Sequence, residues 1–241
     1  MPPCSRSWAF FLDIDGTLLD IAETPDAAEA TRREKSLVRK LHDAASGALA
    51  LVSGRSLAAI DELFAPLKLA AAGQHGVERR DAQGRVHRGD YPREPLRRAA
   101  QSIGRFVAQH PGLVFEDKGT SFSLHYRLAP ALAEEACAVV RDAAAGLGDW
   151  VEVQQGKLVV ELKPAGRDKG VAIEEFLREA PFAGRSPVFI GDDVTDEDGF
   201  RVVNRMGGHS VKVGSGRTRA RWQIADPSAA RAWLEGCVAG R

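Results

Sequence analysis

The chain has 241 residues, of which 44% are hydrophobic, with 33 Lys plus Arg against 33 Asp plus Glu. Zero formal charge excludes a protein that works by bulk attraction to nucleic acid or an anionic membrane. No apolar run approaches the roughly 18 residues of a membrane span, and Cys4, Cys137 and Cys237 form no Cys-x-x-Cys pair. Neither a disulfide framework nor a thiolate zinc site is therefore expected, and a reducing cytoplasm is the default location.

Residues 8–13 (WAFFLD) form a short apolar run ending in acid, the mark of a buried parallel strand. The run is too short for a signal peptide's apolar region and no cleavage pattern follows it. Residues 29–45 carry Leu37, Val38, Leu41 and Ala45 at helical spacing. A second buried strand is predicted over 48–55, a helix over 56–64 and a strand over 69–73. This alternation predicts a parallel α/β sheet. The same order returns late, with a helix over 168–180, a strand over 187–193 and a helix over 195–204. Short strands at Ser210–Val213 and Trp222–Ala225 follow, then a helix over Ala229–Cys237 capped by Asp226 or Ser228.

The middle of the chain has a different pattern. Residues 77–89 suggest a polar hairpin turning near Gln83-Gly84. Two further hairpins are expected over 113–127, turning near Lys118-Gly119, and over 151–164, turning at Gln155-Gly156. Helices near 93–109 and 130–146 separate them. The expectation is an α+β domain over 77–162 inserted into an α/β domain made of 1–76 and 163–241.

Asp13-Ile14-Asp15-Gly16-Thr17 is the strongest chemical signal. Two carboxylates sit where a buried strand ends, and the turn at Gly16 lets both approach one pocket. Ligands of open α/β sheets bind at the carboxyl ends of strands. Paired acids there suit a divalent cation, or a nucleophile with a general acid. A second cluster, Gly191-Asp192-Asp193-Val194-Thr195-Asp196-Glu197-Asp198, puts five acids within seven residues directly after a core strand. A solvated charge run fits poorly there, and ligands made only of oxygen favour Mg²⁺ over zinc.

Ser53 ends the second strand, where its hydroxyl and the N–H groups near Gly54 suit a phosphoryl oxygen. Lys169 opens a helix. Taken alone, each is better read as a turn residue or a surface lysine; only the company of the acidic clusters points to a phosphoryl site. His42, His87, His110 and His209 form no constellation.

In that order, Asp-x-Asp-Gly-Thr, strand serine, helix lysine and Gly-Asp-Asp-x-x-Asp, the chain resembles the haloacid-dehalogenase superfamily of aspartate-nucleophile phosphatases. The resemblance implies a Rossmann-like α/β core with an α+β cap of the C2 type between the second and third motifs. The finer resemblance is to the trehalose-6-phosphate phosphatase family, through FLDIDGT (11–17), GQHGVE (73–78), EDKGTSFSLHYR (116–127), ELKPAGRDKG (161–170) and GDDVTDEDGF (191–200). Gln74 and Val77 depart mildly from its pattern.

The resemblance implies that Asp13 is the nucleophile, Asp15 the acid and base, and Ser53 and Lys169 the holders of the phosphoryl group. Mg²⁺ would lie on Asp13, the Asp15 carbonyl and Asp192, with Asp193 and Asp196 orienting that shell. Substrate contacts would come from Gly54, Arg55, His75, Glu116, Lys118, Arg127, Glu161 and Lys163. It also implies a small sugar-phosphate substrate, no nucleic-acid or membrane partner, and a functional link to a trehalose-6-phosphate synthase. His125, in a strand pattern, is open between packing and site. Another capped sugar-phosphate phosphatase of sucrose-phosphate or mannosyl-phosphoglycerate type is the neighbouring reading. A phospho-acceptor signalling module would be about half this length, and a non-catalytic sugar-phosphate binder would not need the complete set of catalytic positions.

Overall fold

A computed structural model describes residues 1–22, 24, 27–89 and 91–239. It divides into two compact units, Met1–His87 with Asp168–Arg241, and Arg88–Arg167.

The first unit is built on parallel strands β1 (Trp8–Leu12), β2 (Leu49–Val52) and β3 (Ala70–Gly73). The hairpin β4 (Glu78–Arg80) and β5 (Val86–Arg88) follows. β10 (Ser186–Gly191), β11 (His209–Val213) and β12 (Trp222–Ile224) complete the sheet. Its order is β12-β11-β10-β1-β2-β3-β4-β5. The six parallel strands thus run outward in both directions from β1, the doubly wound arrangement in which ligands bind where the order reverses. β1 pairs with β10 with Leu12 opposite Ile190, so Asp13 and Gly191-Asp192 emerge side by side at that reversal.

Helices α1 (Arg32–Ala44), α2 (Leu57–Phe64), α5 (Lys169–Leu177), α6 (Glu197–Arg205) and α7 (Pro227–Ala239) belong to this unit. All five residues of β1 are buried, and Phe11 stacks on Phe182 with ring centroids 5.5 Å apart. Each such fully buried side chain stabilises the fold by roughly 1.5–3 kcal/mol. Three helix caps form, of which the sequence points to the one at Asp226. Thr31 and Glu34 close a reciprocal capping box on α1, Asp168 accepts from Val171 N at 2.8 Å, and Asp226 accepts from Ala229 N at 2.8 Å.

The second unit is a four-stranded antiparallel sheet, β6 (Val114–Asp117), β7 (Phe122–His125), β9 (Val159–Pro164) and β8 (Val151–Gly156), in that order. Helices α3 (Arg93–Val107) and α4 (Ala133–Ala145) cover one face. Phe122, Leu124, Val160 and Leu162 turn toward them and join Ile103 and Val140 in a separate core.

Four expectations are corrected. The 77–89 hairpin is not part of the inserted unit: β4 pairs antiparallel with β3, with Ala72 opposite Arg79, and extends the first sheet. The compact units meet at 87/88 and 167/168 instead of 76/77 and 162/163. The 151–164 hairpin turns two residues later, at Lys157-Leu158, where Leu158 takes φ +62°. Finally, Cys4 and Cys237 are disulfide-bonded with Cα atoms 5.2 Å apart, a pairing across 233 residues that sequence spacing cannot reveal. Cys137 is a buried free thiol.

Candidate active site

Beyond β1 the chain makes a tight loop in which Gly16 N donates to Leu19 O at 2.8 Å and Leu18 N to Ile14 O at 2.9 Å. Gly16 has φ +78°, and a Cβ there would lie 2.2 Å from Asp192 Oδ2. This glycine therefore lets the loops after β1 and β10 touch.

Lys169, the first residue of α5, is buried and its ammonium lies 2.7 Å from both Asp13 Oδ1 and Asp196 Oδ1. Asp13, Asp192 and Asp196 each place one carboxylate oxygen within 4.8 Å of the other two. Burial pushes the Asp13 carboxyl well above the usual carboxylate range; Lys169 opposes this, while Asp196 and Asp192 add to it. Burial and then Asp196 push Asp192 up to about 7. Burial opposes the charge of Lys169, yet Asp13 and Asp196 outweigh it and hold the ammonium above the ordinary lysine range. One lysine thus balances part of a three-carboxylate cluster, and the remaining repulsion is what a divalent cation would relieve. The donor set is all oxygen and suits Mg²⁺.

Within the acidic loop the carboxylates have different tasks. Asp196 Oδ2 accepts from the backbone N–H groups of Asp192 and Asp193, both at 2.9 Å, so it shapes the loop as well as binding Lys169. Asp193 caps the single 3₁₀ turn 194–196, accepting from Val194 N at 2.7 Å. Lys212 on β11, outside every chemical motif of the sequence, donates to the Asp192 carbonyl.

The Arg55 guanidinium, expected on substrate, grips both Asp15 oxygens at 2.7 Å. Ser53 is buried, and its hydroxyl accepts from Arg55 N at 3.2 Å. His75 N donates to Ser53 O at 3.0 Å, and the His75 ring lies against Gly54, where a Cβ would come within 2.7 Å of Nε2. His75 holds this place with φ +57°. Glu78 accepts from Leu57 N at 2.7 Å and ties the same loop to α2. Asp13, Asp15, Ser53, Gly54, Arg55, His75, Asp192, Asp193 and Asp196 therefore all follow the carboxyl ends of β1, β2, β3 and β10, and Lys169 at the start of α5 joins them.

The remaining candidates lie in the second unit, on the face of its sheet turned away from the helices. Lys118 Nζ is 2.8 Å from Ser123 Oγ, 3.3 Å from Glu161 Oε1 and 3.5 Å from Glu116 Oε2. His125 Nε2 lies 3.2 Å from Glu116 Oε2, so this histidine adjoins the polar cluster. Burial raises the Glu116 carboxyl, but the His125 contact and Lys118 outweigh it and leave the group below its usual range. Lys163 stands apart: it pairs with Glu152 at 2.9 Å and donates to Arg167 O at 2.8 Å. Arg127 follows β7 by two residues.

A family model described as trehalose-phosphatase matches residues 11–230. The chain is 44% identical over 234 residues to the trehalose-6-phosphate phosphatase of Escherichia coli (strain K12), spanning 97% of this chain and 88% of that protein. The chain belongs to the trehalose-phosphatase family. Another relative, a probable trehalose-phosphate phosphatase of Sinorhizobium fredii (strain NBRC 101917 / NGR234), is 47% identical over 209 residues, 86% of this chain and 78% of that protein. The C-terminal domain of the Candida albicans trehalose-6-phosphate phosphatase shares the fold with a TM-score of 0.86. It covers 97% of this chain and 93% of that one at 22% identity. The capped haloacid-dehalogenase fold expected for the trehalose-phosphatase family is thus the fold of this chain. Among the described residues, no helix is long and apolar enough to cross a membrane.

Sequence reasoning missed Ser123 and Lys212. For Ser123 a signal existed, since in SFSLH (121–125) the serines alternate with Phe122 and Leu124 and must share the face opposite the core. For Lys212 there was none.

Proposed function

We propose that this chain hydrolyses trehalose 6-phosphate to trehalose and phosphate through an aspartyl-phosphate on Asp13. The observation that carries the reading is the buried Lys169 ammonium joining Asp13 to Asp196 where the strand order reverses. It holds one oxygen of Asp13, fixes the carboxylate's direction, and provides positive charge where a phosphoryl group would arrive.

In the first step an Asp13 oxygen bonds to phosphorus while the bond to the sugar oxygen breaks, and Asp15 gives that oxygen a proton. Arg55 donates to both Asp15 oxygens and fixes the direction of the carboxylate, while each oxygen keeps a second lone pair on which the transferred proton can sit. In the second step Asp15 takes a proton from water as the water attacks phosphorus, and Asp13 is released. Ser53, Lys169 and the N–H groups near Gly54 would hold the phosphoryl oxygens, with Arg55 and His75 bordering them. Mg²⁺ would be held by Asp13, Asp192 and the Asp15 carbonyl, oriented by Asp193 and Asp196, and would screen the charge of the phosphate.

The distal glucose would be recognised by Glu116, Lys118 and Glu161, with Arg127 and Lys163 at the margin of that cluster. Carboxylates that accept and an ammonium that donates match the mixed hydrogen bonding of sugar hydroxyls. The polar cluster of the second unit supports a sugar as the esterified group. A functional link to a trehalose-6-phosphate synthase follows from the substrate. The Cys4–Cys237 bond removes one support for a cytoplasmic location. We keep that location in the proposal because a doubly charged sugar phosphate does not cross a bilayer unaided and must be consumed where it is made.

Purified protein with Mg²⁺ should release phosphate from trehalose 6-phosphate in strong preference to sucrose 6-phosphate and glucose 6-phosphate. EDTA should stop the reaction and added Mg²⁺ restore it. Asp13→Asn should lower turnover at least about a thousandfold, because no other carboxylate can take its in-line position. Preference for another ester would remove the substrate assignment, and wild-type turnover by Asp13→Asn would remove the covalent mechanism.

A further inference from the structure

The polar face of the second unit's sheet is organised around a residue that carries no charge. The register places Glu116 on β6 opposite Ser123 on β7, Ser123 opposite Glu161 on β9, and Glu161 opposite Gln154 on β8. These four side chains form one row across four strands, because residues paired across a sheet project to the same face. Phe122 and Leu124, on either side of Ser123 in sequence, point the other way into the core under α3 and α4.

Ser123 is 1% exposed, and its hydroxyl is used in both directions. It donates to Glu161 Oε1 at 2.6 Å and accepts from Lys118 Nζ at 2.8 Å. The ammonium is farther from both carboxylates, at 3.3 Å from Glu161 and 3.5 Å from Glu116. Of these three contacts of Lys118 the shortest goes to the neutral hydroxyl. A hydrogen bond from an ammonium polarises the hydroxyl and strengthens its own donation to a carboxylate, so the three groups act as one chain.

We infer that Ser123 is a positioning residue for sugar recognition, setting the separation and direction of the Lys118 ammonium and the Glu161 carboxylate. The inference rests on the proposed reading of this cluster as the site for the distal sugar. Without the hydroxyl, the existing 3.3 Å contact between Lys118 and Glu161 would tighten or Lys118 would turn toward Glu116, and the pattern of donors and acceptors would change. The ligand class that fits this pattern is a neutral polyhydroxylated ring, since vicinal hydroxyls accept from an ammonium and donate to carboxylates at fixed spacing.

The test compares Ser123→Ala, Glu161→Gln and the double variant in steady-state hydrolysis of trehalose 6-phosphate and glucose 6-phosphate. Ser123→Ala is expected to raise KM for trehalose 6-phosphate about tenfold with a much smaller change in kcat, and to reduce selectivity against glucose 6-phosphate by a similar factor. Ser123→Thr, which keeps the hydroxyl, should recover most of the loss. The double variant should match Glu161→Gln alone instead of multiplying the two effects. Should the alanine variant fail to fold, Ser123→Cys keeps the volume with a weak donor and should show the same KM rise. A KM rise in Glu161→Gln with none in Ser123→Ala or Ser123→Cys would overturn the positioning role alone. Multiplicative effects would overturn it as well. Unchanged KM in every variant would instead overturn the reading of this face as the sugar site.

Discussion

Three carboxylates and one ammonium occupy one buried cluster, and their protonation follows from that crowding. Burial and the neighbouring Asp196 raise the Asp192 carboxyl to about 7 in the metal-free fold, whereas an unfolded aspartate loses its proton near 3.8. Between those values the native state binds more protons than the unfolded one. The stability contributed by this group is therefore full below the unfolded value and lost as pH rises through about 7. A divalent cation takes the proton's place, so binding it releases protons and its affinity should rise with pH through the same range. Melting with Mg²⁺ and with EDTA, at about pH 5.5 and about pH 8, should show the larger Mg²⁺ stabilisation at the higher pH. Equal stabilisation at both would mean that Asp192 is ionised throughout. The acids of this site were legible as motifs because each group follows a buried strand. The Arg55–Asp15 pair was not, because 40 residues separate its members and only the sheet brings them together.

At the scale of elements, strands and helices of the parallel sheet were readable to within a few residues because apolar runs of four or five alternate with capped helices. The β4 hairpin was misassigned for a definite reason. Its sequence, Glu-Arg-Arg, looks solvated, yet all three residues are buried and paired. Arg79 pairs with Glu175 at 3.2 Å and Glu179 at 2.5 Å and lies 4.9 Å above the Phe176 ring, so it faces α5. Arg80 forks onto Asp61 at 2.7 and 2.5 Å and donates to Leu69 O at 2.9 Å, so it faces α2. Successive arginines thus bind β4 to helices on the two faces of the sheet. Arg80→Ala should destabilise the protein by about 1–3 kcal/mol, because it leaves the Leu69 carbonyl and Asp61 without their donor. Chemical denaturation would measure this. An unchanged midpoint would show that the hairpin is held by its backbone alone. The row through Ser123 was hidden for a related reason, since register is a property of paired strands and three separate stretches of chain supply it.

For the molecule as a whole, the Cys4–Cys237 bond links the segment before β1 to α7 and closes a loop with a sequence separation of 233. Restricting so long a loop in the unfolded chain should stabilise the native state by about 2–5 kcal/mol. Reductant should therefore lower the melting temperature by several degrees, and Cys237→Ser should melt like the reduced protein with no response to reductant. Identical melting in all conditions would show that the tie adds nothing. Cys137 stays outside this chemistry, buried beside Gln155, whose amide donates to its sulfur.

That tie also bears on how freely the backbone could be rewired. Positions 4 and 237 lie 5.2 Å apart at Cα, a gap that a peptide of two or three residues can span. The exposed turn at Gln83-Gly84 lies on the hairpin edge, away from every parallel strand pair. Joining the chain at the first place and opening it at the second would yield a circular permutant in which the site loops keep their order around β1 and β10. In such a permutant the spatial arrangement of the site loops would be set by the strand order and not by which loop comes first in the chain.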